Sequence, residues 1–196
     1  MIAQVRGMDL DKLSLKELWG LFPIELTAPR NEWKNSFARE AENLKVLLPN
    51  VEPYHIGSTA IPEIMAKNTV DILISFPDRT AETDAAAVLS ANGWTEMARN
   101  DRRISLNKGY TPSGYADEVF HLHLRLDDDK DEIYFCRYLA VRPNIAKEYE
   151  KLKFSLAEKF RFDRDAYTDG KTDFVQKYTA EAIEYFSRNS KKPPRS

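Results

Sequence analysis

Cysteine is almost missing from this chain: Cys136 is alone among 196 residues. An internal disulfide is impossible, a zinc site built on thiolates is excluded, and a reducing compartment is the natural setting. Histidine is scarce too, so any imidazole chemistry must come from His55, His121 or His123. Charge of one sign is not in excess: 29 Lys and Arg against 31 Asp and Glu give a formal net charge of -2. Without a global basic field, bulk nucleic-acid binding is not expected, which leaves a small ligand or a local basic pocket. No apolar run approaches the roughly 18 residues that span a bilayer. The first residues, Met1-Ile2-Ala3-Gln4-Val5-Arg6, carry no apolar core of a signal peptide. These absences predict a cytoplasmic protein with no membrane partner, and they leave the oligomeric state open.

What remains is the composition of a folded globule, 42% hydrophobic and 31% charged. One domain is expected over 13–188, with an N-terminal extension over 1–12 and a solvated tail over 189–196. Cys136, within the apolar stretch Ile133-Tyr134-Phe135-Cys136, reads as a buried small hydrophobe and not as a nucleophile.

Ser14-Leu15-Lys16-Glu17 fits a capping box that opens a short helix with Leu15, Leu18, Trp19 and Phe22 on one face, stopped by Pro23. Trp33, Phe37, Leu44 and Leu48 mark a helix over 31–48. Val51 to Ile56 reads as a strand, 62–66 as one helical turn, and 69–76 as a central strand. A helix over 81–91 ends at Asn92-Gly93. Strands over 94–98, 103–108 and 119–126 form an antiparallel meander, with a turn-rich loop over 110–114. From 131 the pattern is helical, divided by Pro143 at a helix start. Asp163 is placed as the cap of the last helix, ending near Ser187. Helices, then a mixed sheet with one crossover helix, then helices make an α+β arrangement.

The chemistry gathers around the turn Gly57-Ser58-Thr59-Ala60. Glycine lets a backbone approach an anion closely, and the serine hydroxyl and nearby amides can bind phosphate oxygens. Asp71, inside the next strand, can hold Mg²⁺ against such a phosphate. A carboxylate in an apolar strand costs several kcal/mol, roughly, unless paired or cation-bound, so the alternative is a structural ion pair. His121 and His123 share one strand face and can ligate a metal, move a proton or bond phosphate; the alternative is a pair of hydrogen-bonded sheet histidines. His55 is read with them as part of the same pocket. Lys67, Arg103 and Lys108 are candidate phosphate contacts, or else solvated surface charges. Tyr167 and Lys171, four residues apart, can close over a ligand or simply pack between helices. Asp127-Asp128-Asp129 reads as an exposed loop.

Several segments together resemble the GrpB family: His55-Ile56-Gly57-Ser58-Thr59-Ala60-Ile61-Pro62, Ala66-Lys67-Asn68-Thr69-Val70-Asp71-Ile72-Leu73, His121-Leu122-His123, Asn107-Lys108-Gly109-Tyr110-Thr111-Pro112, and the stretch from Asp163 to Phe174. The likeness runs from about Leu13 to Phe186. It implies a nucleotidyltransferase-superfamily fold, a polymerase-β-like mixed sheet flanked by N- and C-terminal helices. In that superfamily a Gly-Ser turn precedes two carboxylates two apart on a strand, with a third on a later strand. Gly57, Ser58 and Asp71 match; the second carboxylate falls at Leu73, and the later strand carries His121 and His123. The resemblance therefore implies a divergent nucleotidyltransferase with Asp71, His121 and His123 as catalytic and metal-binding residues, and Mg²⁺ or Mn²⁺ as cofactor, with Zn²⁺ open. Gly57, Ser58, Lys67, Arg103, Lys108, Tyr167 and Lys171 are the implied contacts to a nucleotide or phosphorylated metabolite. Leu73 motivates the rival, a nucleotide- or CoA-like metabolite-binding module without turnover. The charged C-terminal helices motivate a third, a partner-binding domain.

Overall fold

The computed structural model describes Glu17 and residues 20–111 and 114–188. The capping box at Ser14, with Leu15, Leu18 and Trp19, the extension over 1–12 and the tail over 189–196 lie outside the described residues.

Helix α1, Glu32–Leu47, buries Trp33, Ala41 and Leu44 along one stripe, and Pro49 follows it. Strand β1, Tyr54–Ile56, leads into a 3₁₀ turn, Ser58–Ala60. Strand β2 spans Val70–Phe76. Helix α2, Arg79–Ala91, starts where the Asp78 side chain accepts from the Ala81 amide and so satisfies one donor of the first turn. Strands β3, Thr95–Arg99, β4, Arg103–Thr111, and β5, Gly114–Leu126, complete a five-stranded sheet of order β1-β2-β5-β4-β3. β2 and β5 run parallel and the other pairs antiparallel. Four helices follow: α3, Asp131–Ala140, α4, Pro143–Lys159, α5, Arg164–Asp169, and α6, Thr172–Arg188. The class is the α+β one expected, a mixed sheet flanked by helices.

Strand alternation sorts the sheet into two faces. Val70, Ile72, Ile74 and Phe76 of β2, with Phe120, Leu122 and Leu124 of β5, pack under α1 and α2. Each such side chain contributes about 1.5–3 kcal/mol by leaving water. On the other face Leu73 and Ile56 lie beneath residues of α3, α4 and α6, among them Phe135, Leu139 and Ala182. Those helices cover only part of the face, and the uncovered part carries Asp71, His121 and His123.

Four readings of the sequence are corrected. The 62–66 segment is not helical: Glu63 has φ 60°, and Ala66 pairs with Thr27 in an antiparallel bridge. Helix α4 holds it in place at three points: Lys147 donates to the Glu63 carbonyl, Glu150 accepts from the Met65 amide, and Lys153 donates to the Met65 carbonyl. The loop over 110–114 is instead the end of a hairpin, with Tyr110 paired to Tyr115 and Thr111 to Gly114. Rings do the ordering: Phe22, Tyr110 and Tyr115 meet edge to face, with centroids 4.9–5.5 Å apart. Asp163 caps α5 and not the last helix, since the chain turns at Gly170 where it presses on Leu156. Asp129 is buried and not an exposed loop residue; it takes Arg103 through two hydrogen bonds of 2.9 and 3.1 Å.

Candidate functional site

Parallel pairing of β2 with β5 sets Asp71 level with His121 and Leu73 level with His123. The Asp71 Oδ1 oxygen lies 3.1 Å from His121 Nδ1 and 3.5 Å from His123 Nε2. The neighbours fix which ring nitrogen carries the proton. Arg125 donates to His123 Nδ1 at 3.2 Å, so Nε2–H faces Asp71. Arg164 donates to the Tyr110 hydroxyl at 3.1 Å, and that hydroxyl donates to His121 Nε2 at 2.7 Å, so Nδ1–H faces Asp71. Burial pushes the Tyr110 phenol up to about 12, so it keeps its proton. Burial alone would raise the Asp71 carboxyl, but the bonds from His121 and His123 outweigh it and hold the carboxyl well below the usual range. Burial lowers the His121 imidazole even against the pull of Asp71. An ionised carboxylate beside a neutral imidazole is thus the state near neutral pH.

Tyr110 reaches His121 because the hairpin is bulged. The register shifts between Lys108 and Tyr110, and Gly109 adopts φ +93° where a Cβ would run into the Glu118 backbone. A glycine in the left-handed region is the usual occupant of such a bulge; two steps along β4, from Lys108 to Tyr110, are matched by five along β5, from Phe120 to Tyr115, and that odd offset turns Tyr110 to the other face.

Gly57 and Ser58 form the floor beside this trio. Gly57 has φ 71° and ψ -173°, and any Cβ there would overlap the Asp71 carboxylate. Ser58 lies beside the Tyr149 hydroxyl. Both line a cleft of about 810 Å³, within the size range of ligand pockets. Lys67, Arg103, Asp71, His121, His123, Tyr167 and Lys171 line it too. Lys67 and Lys171 sit over the Tyr167 ring at 5.6 and 4.5 Å. Among the described residues neither lysine, nor Arg164, has a carboxylate partner. Arg103 stands at the rim, held by Asp129. Three of the sequence-selected residues thus form a cation and ring cluster facing the Gly-Ser floor.

Two expected contacts lie elsewhere. Lys108 pairs with Phe120 in the sheet and so points to the opposite face, where it binds Glu40 at 2.7 Å above Trp94. His55 pairs with Ile72, faces α1 and stacks on Phe37 at 4.7 Å; its Nε2 meets the Thr59 hydroxyl at 3.0 Å. Burial lowers its imidazole to about 4, so it stays neutral in the core. Cys136 lies against the Gly57 carbonyl, and burial pushes its thiol up to about 12, too high for a nucleophile. Arg164, Tyr110, Arg125 and Glu132 were not singled out from sequence. Tyr110 and Arg164 do fall within family-like stretches, Asn107 to Pro112 and Asp163 to Phe174.

A family model described as GrpB protein matches residues 23–181. The chain belongs to the GrpB family. A UPF0157 protein of Pseudomonas aeruginosa is 32% identical over 166 residues, 82% of this chain and 68% of that protein. The UPF0157 protein YqkA of Bacillus subtilis is 30% identical over 169 residues, and this GrpB-family chain spans about half of its length, 48%. The crystal structure of GrpB from Enterococcus faecalis matches 83% of this chain and 99% of its own, with TM-score 0.71 and 28% identity. More remote is the Cid1 poly(U) polymerase, TM-score 0.47 at 14% identity over 74% of this chain and 44% of its own, an overlap that carries no weight for activity. Among the described residues of this GrpB-family chain no helix is long and apolar enough to cross a membrane.

The lysine cluster sets an expected pH response. Burial first, then the Arg164 and Lys171 charges, lowers Lys67 to about 7; burial lowers Lys171 to about 8. Between those values and the ordinary lysine range the folded chain holds fewer protons than the unfolded one. Stability of the free protein therefore rises with pH across that window. A bound polyphosphate restores the lysine charges, so its affinity falls across the same window. Melting midpoints without ligand and calorimetric titration with inorganic tripolyphosphate, from pH 7 to 9.5, should move in opposite directions. Lys67→Met and Lys171→Met together should flatten the titration and lessen the slope of the melting midpoints, the rest of that slope belonging to Lys153, which burial lowers to about 7.

Proposed function

We propose that the cleft binds a nucleoside triphosphate through its phosphates and transfers the nucleoside monophosphate to an acceptor. The observation that carries this reading is the convergence of two unlike groups on one floor: the Asp71, His121 and His123 donors, and the acid-free cations Lys67, Arg164 and Lys171. In the transfer an acceptor oxygen forms a bond to the α-phosphorus, and the bond from that phosphorus to the bridging oxygen breaks, releasing pyrophosphate. Lys67, Arg164 and Lys171 hold the departing phosphates by charge and hydrogen bonds. Gly57 and Ser58 let the chain approach them. A divalent ion at Asp71, His121 and His123 would supply positive charge beside the transferring phosphoryl group. Mg²⁺ and Mn²⁺ are the ions the family likeness implies. The ligand is a small phosphorylated molecule in a cytoplasmic setting.

The test is nucleotide-dependent thermal shift and pyrophosphate release with candidate acceptors. Removing a charged hydrogen-bonding group costs about 1.5–3 kcal/mol. Arg164→Ala should therefore weaken nucleotide binding about 10- to 100-fold, while Lys108→Ala leaves it unchanged. Equal affinity in wild type and Arg164→Ala would remove the phosphate assignment.

One observation favours a second reading, binding without turnover. Leu73 is 0% exposed and packed in the core, so no second carboxylate can stand where a two-ion site needs one. Nucleotide binding that ignores divalent ions, with no pyrophosphate formed, would select it.

A further inference from the structure

The donor geometry narrows the ion. For bonds of about 2.0–2.1 Å, the edges of a tetrahedral zinc site are roughly 3.4 Å long. The Asp71 oxygen stands 3.1 and 3.5 Å from the two histidine nitrogens, and all three donor atoms lie within 4.8 Å of one another. Mg²⁺ asks for something else, near-octahedral oxygen at about 2.0–2.1 Å. Here two donors of three are imidazole nitrogens, which suit zinc-like ions. Of the oxygens nearest the trio that a magnesium site would recruit, Leu73 replaces one, and Glu132 Oε1 and Asp129 hold Arg125 and Arg103.

The surroundings of His121 fit a zinc site as well. Ligating histidines usually present the other ring nitrogen to a fixed partner. His121 has the Tyr110 hydroxyl. His123 has Arg125, and behind it Glu132, whose Oε2 is buried and lacks a hydrogen-bond partner. For His123 to ligate through Nε2 its proton must move to Nδ1, where Arg125 can only donate and has to turn aside toward Glu132. The cleft leaves the fourth direction open, as in zinc sites that do chemistry.

We propose that Asp71, His121 and His123 form a three-donor site for one Zn²⁺-class ion, with the fourth position turned to the cleft, and that Mg²⁺ is not its natural occupant. This refines the ion in the function proposed above, yet it is measured without nucleotide, so either can fail alone.

The experiment is a Co²⁺ titration of the chelator-stripped full chain, followed by visible absorption. One equivalent should saturate with the intense bands of a low-coordinate cobalt site. Zn²⁺ should displace it, and Mg²⁺ in large excess should not. Two exchangeable imidazole protons shifted by bound Co²⁺ in the proton NMR spectrum would count two histidine ligands with no substitution at all. Asp71→Asn, His121→Gln and His123→Gln should each abolish saturation, whereas His55→Gln retains it, folding being checked by circular dichroism. Tyr110→Phe should weaken binding about tenfold. Absence of saturable Co²⁺ binding to the wild type overturns the proposal. So does displacement by Mg²⁺, or saturation that survives in all three ligand variants.

Discussion

Asp71→Asn should abolish pyrophosphate release, by a factor of at least about 10²–10³, while leaving the protein folded and able to bind nucleotide. Asparagine keeps the size of aspartate but not its charge, and the cleft then faces the triphosphate with Lys67, Arg164 and Lys171 unopposed. Metal-free nucleotide affinity is therefore expected to hold or to rise, so the loss falls on turnover and not on binding. Asp71→Ala should be worse for stability. It leaves the Nδ1–H of His121 and the Nε2–H of His123 aimed at nothing, and an unsatisfied buried donor costs about 1–3 kcal/mol. Comparing single-turnover rate and nucleotide affinity in both variants checks this. Release that continues undiminished in Asp71→Asn would end the catalytic reading.

The second large effect is expected at Gly57. Its dihedrals lie where glycine is almost the sole occupant, so Gly57→Ala carries backbone strain of about 1–3 kcal/mol. The new methyl also meets the Asp71 side chain, and it must push the carboxylate off its two histidines or bend β1 away from β2. For a chain of this size each kcal/mol lowers the melting midpoint by about 2–4 °C. Ligand binding should fail together with stability. The collision can be separated from the strain, because Asp71→Ala removes most of the atoms that Gly57→Ala strikes. Urea unfolding of the two single variants and the double should then be less than additive by more than about 0.5 kcal/mol. Strict additivity would mean that the turn and the carboxylate do not touch in solution.

How far the site could be read beforehand depended on period and distance. The run Val70–Phe76 announces a buried strand, and its period of two places Asp71 and Leu73 on one face before any coordinate is known. The same rule ties His121 to His123. It failed for Lys108 and His55 because their faces depend on pairing register, which a single strand does not carry. Lys108 is on the core face because it stands level with Phe120, and His55 because it stands level with Ile72. Tyr110 was hidden by the bulge at Gly109, since Pro112 and Gly114 made that stretch look like a loop. Arg164 was beyond reach for a different reason: it arrives from the C-terminal helices, 54 residues from Tyr110, and nothing local marks that approach. The 63–65 segment was misread because its hydrogen bonds come from α4, where Lys153 is 1% exposed and ends on a backbone carbonyl.

The central position of β5 bears on how the molecule assembles itself. β4 and β5 are neighbours in sequence and can zip as a hairpin in microseconds, but the β5 edge of that hairpin must then dock alongside β2. The Asp71–His121 contact closes a loop of 50 residues, so its chain entropy is lost before any reward arrives. Such parallel, non-local pairing is slow and late. The trio is therefore a reporter of the last productive step in folding: a refolding chain should show its helices and hairpin first and acquire the capacity to bind an ion or a phosphate only when the sheet is complete.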